Sequence, residues 1–465
     1  MAHYLSRRTF LRSIGTVVCG AMMARSLHAN KNKRQSPNFV VILTDDQSWV
    51  GSSVLMDPND PRTRSDYYQT PHIDRLAKMG MRFTQGYSPA PFCCPTRRSL
   101  LIGQTPARHI YQKDQENWPK QYRRQLTIPG MLKQANPEYI TAHFGKWDFR
   151  FDNVTPEEMG YDISDGYTGN FTGGAKGTGG PKAVDDPKKI FSVTHRACDF
   201  IEKQAQSGRP FFVQVSHYAV HLDIYYRQES FDKTREWQRG RKHTMPEFAA
   251  MTSDVDSGIG TVIDKIKALG LQSNTYIFFM SDNGGRLSMP RQPKAELARN
   301  HPLRDGKGSM YEGGLRVPFI VIGPGVKAGS VSKIPVTGLD FFPTIAEIAG
   351  YKKALPDSLD GGSMTNVIFN DEGAGDVWRK RPFLLFHHAI QRKPQTALIL
   401  GKFKLVKTWQ DNKLELFDLS KNPSENDDLS IKLPGKTREL HSYMLTFLEE
   451  VNAETRKTSS KKEGK

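Results

Sequence analysis

A run of six residues, Asn38 to Leu43, most constrains the fold, because five of the six are apolar. Such a run is typical of a strand that is buried on both faces of a parallel sheet. Similar runs alternate with stretches of helical periodicity, which predicts an α/β fold with a large, mainly parallel sheet flanked by helices. The further strand candidates are Tyr139–His143, Phe211–Ser216, Tyr276–Met280 and Val317–Ile322, and the helical stretches are Phe191–Gln206, Ala249–Leu269 and Asp340–Ala349.

Turn signals and shifts in composition divide the chain. Thr70 and Pro71 predict the N-cap and first turn of a helix that continues through Met79. Residues 151–187 are rich in Gly and Asp, which predicts an irregular insertion that lines a cleft. We expect an α/β domain over residues 37–370, a small C-terminal α+β subdomain over 371–452 and a disordered basic tail over 453–465. The subdomain is expected to contain antiparallel strands at Thr396–Leu400, Lys404–Thr408 and Leu414–Asp418, and a final helix at Lys436–Val451.

The composition suits a soluble protein with a large core: the chain has 465 residues, of which 37% are hydrophobic and 25% charged. Its net charge of +17 favours an anionic partner, such as nucleic acid, acidic polysaccharide or sulfated glycan. Nucleic acid is disfavoured, because the sequence has no zinc-finger spacing, aromatic RNA-binding box or long Lys/Arg block. The apolar runs are too short to span a bilayer, so we expect no membrane span.

The first 29 residues have the pattern of an export signal. Ser6 to Leu11 matches the twin-arginine motif, Ile14 to Ala24 is mildly apolar, and small residues near Ala29 offer a cleavage site. A disordered basic N-terminus is the alternative interpretation, and the residues before Cys19 make a poor lipoprotein site. We therefore expect an exported protein, periplasmic or extracellular, that uses the twin-arginine route.

Pairs of oxygen-bearing side chains follow two of the expected strands. Asp45 and Asp46 come after the first apolar run, and Asp282 and Asn283 follow Tyr276–Met280. Sites in α/β sheets form beyond the carboxyl ends of strands, so these side chains are expected to lie together. Three carboxylates and one amide suit a hard divalent cation such as Ca²⁺ or Mg²⁺ better than zinc. The alternative is that each is an ordinary turn residue at a strand end.

Cys93 stands beside a second cysteine, a proline and a cation, in the sequence Cys93-Cys94-Pro95-Thr96-Arg97. A small buried hydrophobe is the commoner fate of a cysteine. The spacing does not match the Cys-x5-Arg loop of thiol phosphatases, and the four cysteines of the chain make no disulfide framework. The thiol, the adjacent arginine and the carboxylates together indicate one metal-assisted nucleophilic site.

The surroundings of Cys93 resemble the signature of the formylglycine-dependent sulfatases, which belong to the alkaline-phosphatase-like superfamily. The motifs that carry the resemblance are Cys93-x-Pro95-x-Arg97 with Leu101 and Gly103, Pro37–Asp46, Thr70–Leu76, Gly145-Lys146-Trp147, and the runs Pro302–Ser309 and Glu312–Gly314. They occur in the family's order and cover most of the chain from Asn38 to about Leu448.

The resemblance implies a role for each matching residue. In that family the first cysteine of the signature becomes formylglycine, and its hydrated aldehyde attacks the sulfur of a sulfate ester. The implied metal ligands are Asp45, Asp46, Asp282, Asn283 and the modified Cys93, with Ca²⁺ as the expected ion and Mg²⁺ as the alternative. Arg97 is expected to hold the nucleophile, Lys146 and Lys307 to bind sulfate oxygens, and His221 to protonate the leaving alcohol.

One position of the expected site departs from the family pattern. After Gly145-Lys146-Trp147 the family usually has a histidine, whereas this chain has Asp148. Asp148 is then either the base of the second half of the reaction or the ion-pair partner of Lys146 or Arg150. His217, four residues before His221, is expected to contact the substrate, with a buried structural role as the alternative.

The leading expectation is a sulfuric ester hydrolase that acts on a sulfated poly- or oligosaccharide. A phosphodiesterase or phosphonate monoester hydrolase with the same modified cysteine is the first alternative, and a non-catalytic glycan-binding relative is the second. The expected modification requires a maturation enzyme, formylglycine-generating or anaerobic, as a partner. Because such enzymes act on unfolded chain and the twin-arginine route exports folded protein, we expect Cys93 to be converted in the cytoplasm.

Overall fold

The computed structural model describes residues 36–109, 118–149, 153–174, 180–388 and 393–455. The expected export signal of residues 1–29, Arg150 and residues 456–465 of the expected tail lie outside the described residues. The described residues from Pro37 onward belong to one compact unit. Within the described ranges, none of the helices is long and apolar enough to cross a membrane.

The described secondary structure alternates between strands and helices as the sequence predicts. The strands are β1 Asn38–Thr44, β2 Met81–Phe83, β3 Gly86–Tyr87, β4 Ile140–Gly145, β5 Ile163–Ser164, β6 Lys182–Ala183, β7 Phe211–Ser216, β8 Tyr225–Tyr226, β9 Thr275–Ser281, β10 Phe319–Ile322, β11 Ser330–Ser332, β12 Val336–Thr337, β13 Phe383–His388, β14 Gln395–Leu400, β15 Phe403–Thr408 and β16 Lys413–Asp418. The α-helices are α1 Pro71–Met79, α2 Cys93–Ile102, α3 Trp118–Tyr122, α4 Ile128–Ala135, α5 Ile190–Ser207, α6 Gln228–Thr234, α7 Pro246–Ala268, α8 Glu312–Leu315, α9 Phe341–Ile348, α10 Thr365–Ile368 and α11 Pro434–Glu450.

Eight of these strands form one large sheet in the order β11-β2-β10-β9-β1-β7-β4-β5. All neighbouring pairs are parallel except those that β10 makes with β9 and β2. Every residue of β1 is buried, because β1 lies between β9 and β7 and both faces of the sheet carry apolar clusters. This confirms the predicted α/β fold and explains why the apolar run of β1 is nearly unbroken.

Helix α1 has the predicted bounds, with Thr70 as its N-cap residue and Pro71 in its first turn, but the Thr70 side chain does not cap it. The Thr70 hydroxyl makes no cap hydrogen bond and instead accepts one from the Ser53 backbone N–H at 2.9 Å. The first amides of the helix, of His72 and Ile73, donate to the carboxylate of Asp256 in α7 at 3.1 and 2.8 Å. The free amides at the start of α1 are therefore hydrogen-bonded by an acidic side chain from a distant part of the chain, and not by the neighbouring threonine.

The C-terminal part contains a separate antiparallel sheet in the order β13-β14-β15-β16. Three of its strands and α11 lie where the sequence predicts them, whereas β13 was not predicted. One face packs against Tyr87 and the segment Met310–Leu315, and the other packs against α11. Both faces are thus covered. The predicted boundary between the two parts at residue 371 stays a prediction.

Candidate active site

The four predicted metal ligands lie together at one edge of the large sheet. Strands β1 and β9 are parallel neighbours, with Thr44 opposite Ser281, so the residues that follow them meet. Asp45, Asp46, Asp282 and Asn283 are each at most 1% exposed. Asp46 has φ +60°, and its backbone N–H donates to the Asp282 carboxylate at 3.2 Å. The turn after β1 therefore takes a left-handed conformation that faces its carboxylate toward the end of β9.

Three oxygen atoms of this group accept no hydrogen bond within the described part of the chain. They are Asp45 Oδ1, Asp46 Oδ2 and Asn283 Oδ1. Ligand atoms of Asp45, Cys93 and Asp282 lie within 4.8 Å of one another, and so do those of Asp45, Asp46 and His221. Buried carboxylate oxygens without partners cost free energy, and native proteins rarely leave them so. The arrangement fits a divalent cation.

Three cations surround these carboxylates. The Arg97 guanidinium donates to Asp282 Oδ2 at 3.0 and 2.7 Å, and to the backbone carbonyl of Lys146 at 2.6 Å. The Lys146 ammonium lies 2.5 Å from Asp45 Oδ2, and that of Lys307 lies 2.5 Å from Asp46 Oδ1. The structure therefore brings together the cations that the sequence analysis assigned to the nucleophile and to sulfate.

The proton affinities of the site reflect its burial and its crowded charges. Burial, together with the negative charge of Asp45, raises the pKa of Asp282 to about 6. Burial lowers the pKa of Lys146, but the adjacent Asp45 carboxylate outweighs it and holds the pKa well above its usual value. Lys146 is thus a permanent cation in the site.

Cys93 is the first residue of α2 and is 3% exposed. This helix was not predicted, because Phe92 at its N-cap makes no side-chain cap and Pro95 stands in its first turn. Burial raises the pKa of the Cys93 thiol to about 12, so the unmodified thiol is neutral near pH 7.

His221 points its two ring nitrogens at different partners. Nδ1 lies 2.6 Å from the Leu222 backbone carbonyl, and Nε2 lies 3.8 Å from Asp46 Oδ2. The carbonyl accepts a hydrogen bond only from a protonated Nδ1, which leaves Nε2 as the nitrogen that faces the carboxylates. Burial lowers the pKa of His221 to about 4.

Asp148 and His217 occupy different surroundings. Asp148 has φ +56°, its backbone N–H donates to the Thr168 carbonyl, and its carboxylate lies 3.5 Å from the Lys146 ammonium. The ion pair with Lys146 is therefore present, whereas the role of Asp148 as a base stays a prediction. His217 is fully buried beside Gly258 of α7, and its predicted contact with substrate also stays a prediction.

Lys188 is a residue that the sequence analysis missed. Its ammonium donates to the Leu222 carbonyl at 3.0 Å, the same oxygen that His221 Nδ1 contacts. It also lies 5.4 Å from the centre of the Tyr225 ring. Burial lowers the pKa of Lys188 to about 8. Lys188 lies just after the irregular insertion, in the short 3-10 helix Pro187–Lys189, and its left-handed backbone with φ +54° is not marked by any periodic pattern.

Close backbone contacts place Lys307 beside Asn283. A Cβ on Gly284 would lie 1.9 Å from the Gly313 carbonyl oxygen, so only glycine permits this approach. The Lys307 backbone N–H donates to the Gly285 carbonyl at 2.9 Å. Gly284 and Gly285 after β9, and Gly313 and Gly314 in α8, therefore allow the loop that carries Lys307 to pack on the turn after β9.

Comparison with known proteins assigns the family. A family model described as Sulfatase matches residues 37–351, and one described as N-sulphoglucosamine sulphohydrolase, C-terminal, matches residues 301–454. A protein named Sulfatase from Formosa agariphila is 27% identical, over 89% of this chain and 90% of that protein. The N-acetylgalactosamine-6-sulfatase of Mus musculus is 28% identical, over 73% of this chain and 69% of that protein.

A solved crystal structure, described as Ps i-CgsB, matches with a TM-score of 0.72 and 25% identity, over 89% of this chain and 93% of that one. The chain belongs to the sulfatase family. It is a sulfuric ester hydrolase, which confirms the predicted family and enzyme class.

Proposed function

We propose that this enzyme hydrolyses sulfate esters on a carbohydrate, with a formylglycine made from Cys93 and a divalent cation. The observation that carries the proposal is the convergence of unpaired, buried oxygens of Asp45, Asp46 and Asn283 beside Cys93. The N-acetylgalactosamine-6-sulfatase among the relatives acts, by its name, on a sulfated sugar, which supports a carbohydrate substrate. The strongly basic chain is consistent with a substrate that carries several negative charges.

The proposed cation is Ca²⁺, held by Asp45, Asp46, Asp282, Asn283 and the modified Cys93. Carboxylate and amide oxygens are hard ligands, and they suit Ca²⁺ or Mg²⁺ rather than a softer metal. A cation bound there would polarise a sulfate oxygen and favour the ionised form of the nucleophile.

The proposed nucleophile is the hydrated aldehyde of formylglycine at position 93, which offers one hydroxyl for attack on sulfur and a second for the release of sulfate. Arg97 supports this group, because its guanidinium is fixed by Asp282 and by the Lys146 carbonyl and stays charged at every working pH. The fixed positive charge offsets the negative charge that develops on the attacking oxygen.

Lys146 and Lys307 are proposed to bind the sulfate oxygens. Each ammonium has three donors, and the hydrogen bond to a carboxylate uses one of them in each case. His221 is proposed to protonate the leaving alcohol from Nε2, because Nδ1 is held by the Leu222 carbonyl. Only the protonated imidazole can donate from Nε2, so the proposed role requires a proton on both ring nitrogens of His221.

The burial of Cys93 bears on its maturation. A residue that is 3% exposed at the start of a helix is inaccessible to a second enzyme in the folded protein. We therefore propose that a maturation enzyme converts Cys93 before the chain folds. Proposed export by the twin-arginine route, to the periplasm or beyond, then follows folding.

The proposal is tested by mass spectrometry of the peptide that contains Cys93 and Cys94, followed by assays on sulfated sugars. We expect the aldehyde at Cys93, an unmodified Cys94 as internal control, and release of sulfate from N-acetylgalactosamine 6-sulfate or a related sulfated sugar. Hydrolysis by protein whose Cys93 is still a thiol would contradict the formylglycine mechanism. Faster release of phosphate than of sulfate from matched esters would favour the phosphodiesterase or phosphonate hydrolase alternative.

A further inference from the structure

A groove lies outside the catalytic cluster. It has a volume of about 580 Å³ and is lined mostly by residues of the segments 61–69, 237–242 and 297–301. None of the catalytic or metal-ligand candidates lines it. The segments come from distant parts of the chain, so their contacts decide whether the groove is preformed.

Buried hydrogen bonds hold the three segments together. Lys242 is 3% exposed, and its ammonium donates to the backbone carbonyls of Arg62 at 2.7 Å and His301 at 3.2 Å. The Asp66 carboxylate accepts the backbone N–H groups of Arg241 at 2.7 Å and of Lys242 at 3.0 Å. These bonds fix the floor of the groove in the free protein, so a ligand would not have to order it.

The rim of the groove is cationic. Arg64 is exposed and makes no ion pair among the described residues, while Arg62 pairs with Asp60 and Arg241 pairs with Glu296, each at 2.8 Å. The pair between Arg241 and Glu296 is more than two-thirds exposed on both sides and holds the arginine only weakly. Guanidinium groups are suited to planar, bidentate contacts with oxyanions.

The side chains that line the groove carry more positive than negative charge. Four cationic side chains line it, against the single carboxylate of Asp66; they are Arg62, Arg64, Arg241 and Lys242. Burial, opposed by Asp66 and Asp60 and reinforced by Arg62 and Arg64, lowers the pKa of Lys242 to about 8. An anion in the groove would relieve this crowding of cations.

Aromatic rings stand beside the arginines. Trp237 is half-buried and packs edge-on against Tyr67, with ring centroids 6.2 Å apart. Tyr67 is only 4% exposed, so the half-buried Trp237 is the ring of this pair that offers a ligand an apolar surface next to polar groups. A sulfated sugar combines an apolar ring face with a charged group, whereas a free inorganic anion uses only the arginines.

One loop joins the groove to the catalytic cluster. His301 lines the groove and Lys307 contacts Asp46, and six residues span at most about 22 Å even when fully extended. The Asn300 amide donates to the carbonyls of Gly285 and Asp305 at 2.9 Å each, which fixes this loop. A glycan of several sugars is long enough to cover this distance.

We propose that the groove is a second substrate subsite, which binds a sulfated sugar of the same glycan at a distance from the ester that is hydrolysed. The proposal rests on the proposed carbohydrate function and deepens it, because it predicts a polyanionic glycan rather than a single sulfated sugar as the preferred substrate.

The test measures binding of fluorescein-labelled dextran sulfate to Cys93→Ala protein, which cannot consume a substrate. The variants Arg64→Glu and Arg241→Glu alter the rim of the groove, and Lys432→Glu is the matched control, since it changes the charge equally at an exposed position of the C-terminal part. Because a hydrogen bond to a charged group contributes on the order of one tenfold step, each groove variant is expected to raise Kd about tenfold. The control should stay within about twofold of the parent.

A second readout separates the groove from the catalytic cluster. In the active enzyme, which retains Cys93, Arg64→Glu is expected to leave turnover of 4-methylumbelliferyl sulfate unchanged. The same variant is expected to raise KM for a sulfated oligosaccharide. Equal losses of binding in groove and control variants, or no loss in either, would overturn the subsite. If the groove variants alone lose binding but the active enzyme hydrolyses none of the sulfated sugars, the groove remains an anion site and the proposed carbohydrate function is overturned.

Discussion

The catalytic edge of the large sheet and the contact between α8 and the C-terminal sheet both bury charged side chains, but they satisfy them differently. Glu312 in α8 has a partner for each oxygen: Oε1 accepts from Lys404 at 2.8 Å, and Oε2 accepts from Arg316 and Tyr87. Asp45 and Asp46 each keep one buried oxygen without a partner in the described residues. The ammonium of Lys404 also lies 2.9 Å from Glu425 Oε1, so this group of buried charges, the closed network, is neutralised from within the protein. The cluster of Asp45, Asp46, Asp282 and Asn283, the open network, is where the proposed cation would bind.

The largest effect is expected from a substitution beside the open network, which should abolish activity and leave stability unchanged. Cys93→Ala removes the proposed nucleophile and is expected to lower kcat by more than about 1000-fold, a scale typical for removal of a catalytic nucleophile. Cys94→Ala is the matched control, because Cys94 is the equally buried neighbour in α2. Activity on a sulfated sugar and thermal unfolding are measured for both; residual activity in Cys93→Ala within tenfold of wild type would contradict the account.

The opposite result is expected at the closed network. Lys404→Met leaves Glu312 and Glu425 without their shared buried cation, and removal of one partner of a buried ion pair typically costs about 3–5 kcal/mol of stability. Lys402→Met, on the exposed side of the same hairpin, is the control. Urea unfolding gives the stabilities, and kcat of the folded Lys404→Met protein should match wild type. Equal stability of the two variants would remove the distinction between the networks.

A smaller effect is expected from Lys188, which borders the open network through the Leu222 carbonyl. Lys188→Met deletes the cation that shares this acceptor with His221, and we expect kcat/KM to fall about tenfold, the loss of one charge-assisted hydrogen bond. Lys189→Met changes the exposed neighbour and should have no effect. If the two variants behave alike, Lys188 has no part in positioning His221.

The smallest predicted effect is a pH dependence of the closed network. Burial raises the pKa of Glu425 from 4.5 to about 7, so the folded protein retains a proton that the unfolded chain releases between these values. The stabilising contribution of the protonated form is complete below pH 4.5 and is lost as the pH rises through 7. Lys404→Met raises this pKa further, so its stability deficit should be larger by about 1 kcal/mol at pH 8 than at pH 5. Urea unfolding at both pH values measures the difference, and a deficit that shrinks at pH 8 would contradict the assigned direction.

Much of the fold and of the catalytic edge could be predicted from the sequence. Apolar runs of strand length predicted β1 and β9, and the pairing of parallel neighbours then brings Asp45 and Asp282 together without further information. Lys146 follows β4 in the same manner. Where a side chain directly follows a buried parallel strand, its position is set by the strand and by little else.

Other features depend on contacts that the local sequence does not show. Thr70 looks like a helix cap, but Asp256, far along the chain, satisfies the helix amides instead. Lys188 lies in a segment without periodicity, where a left-handed backbone decides its direction. Strand β13 has only four apolar residues before two histidines, and it is held by pairing with β14 and by the packing of Leu384 and Phe386 in the cluster around Tyr87. Tertiary contacts override local preference at each of these positions.

The most direct test of the open network is a calorimetric titration of Ca²⁺ into chelator-treated protein. The account predicts one bound ion per chain for wild type and for Lys404→Met, and binding at least about 100-fold weaker for Asp46→Asn, which loses a charged ligand. Absence of binding in wild type, or unchanged binding in Asp46→Asn, would show that the unpaired oxygens of Asp45, Asp46 and Asn283 do not form a cation site.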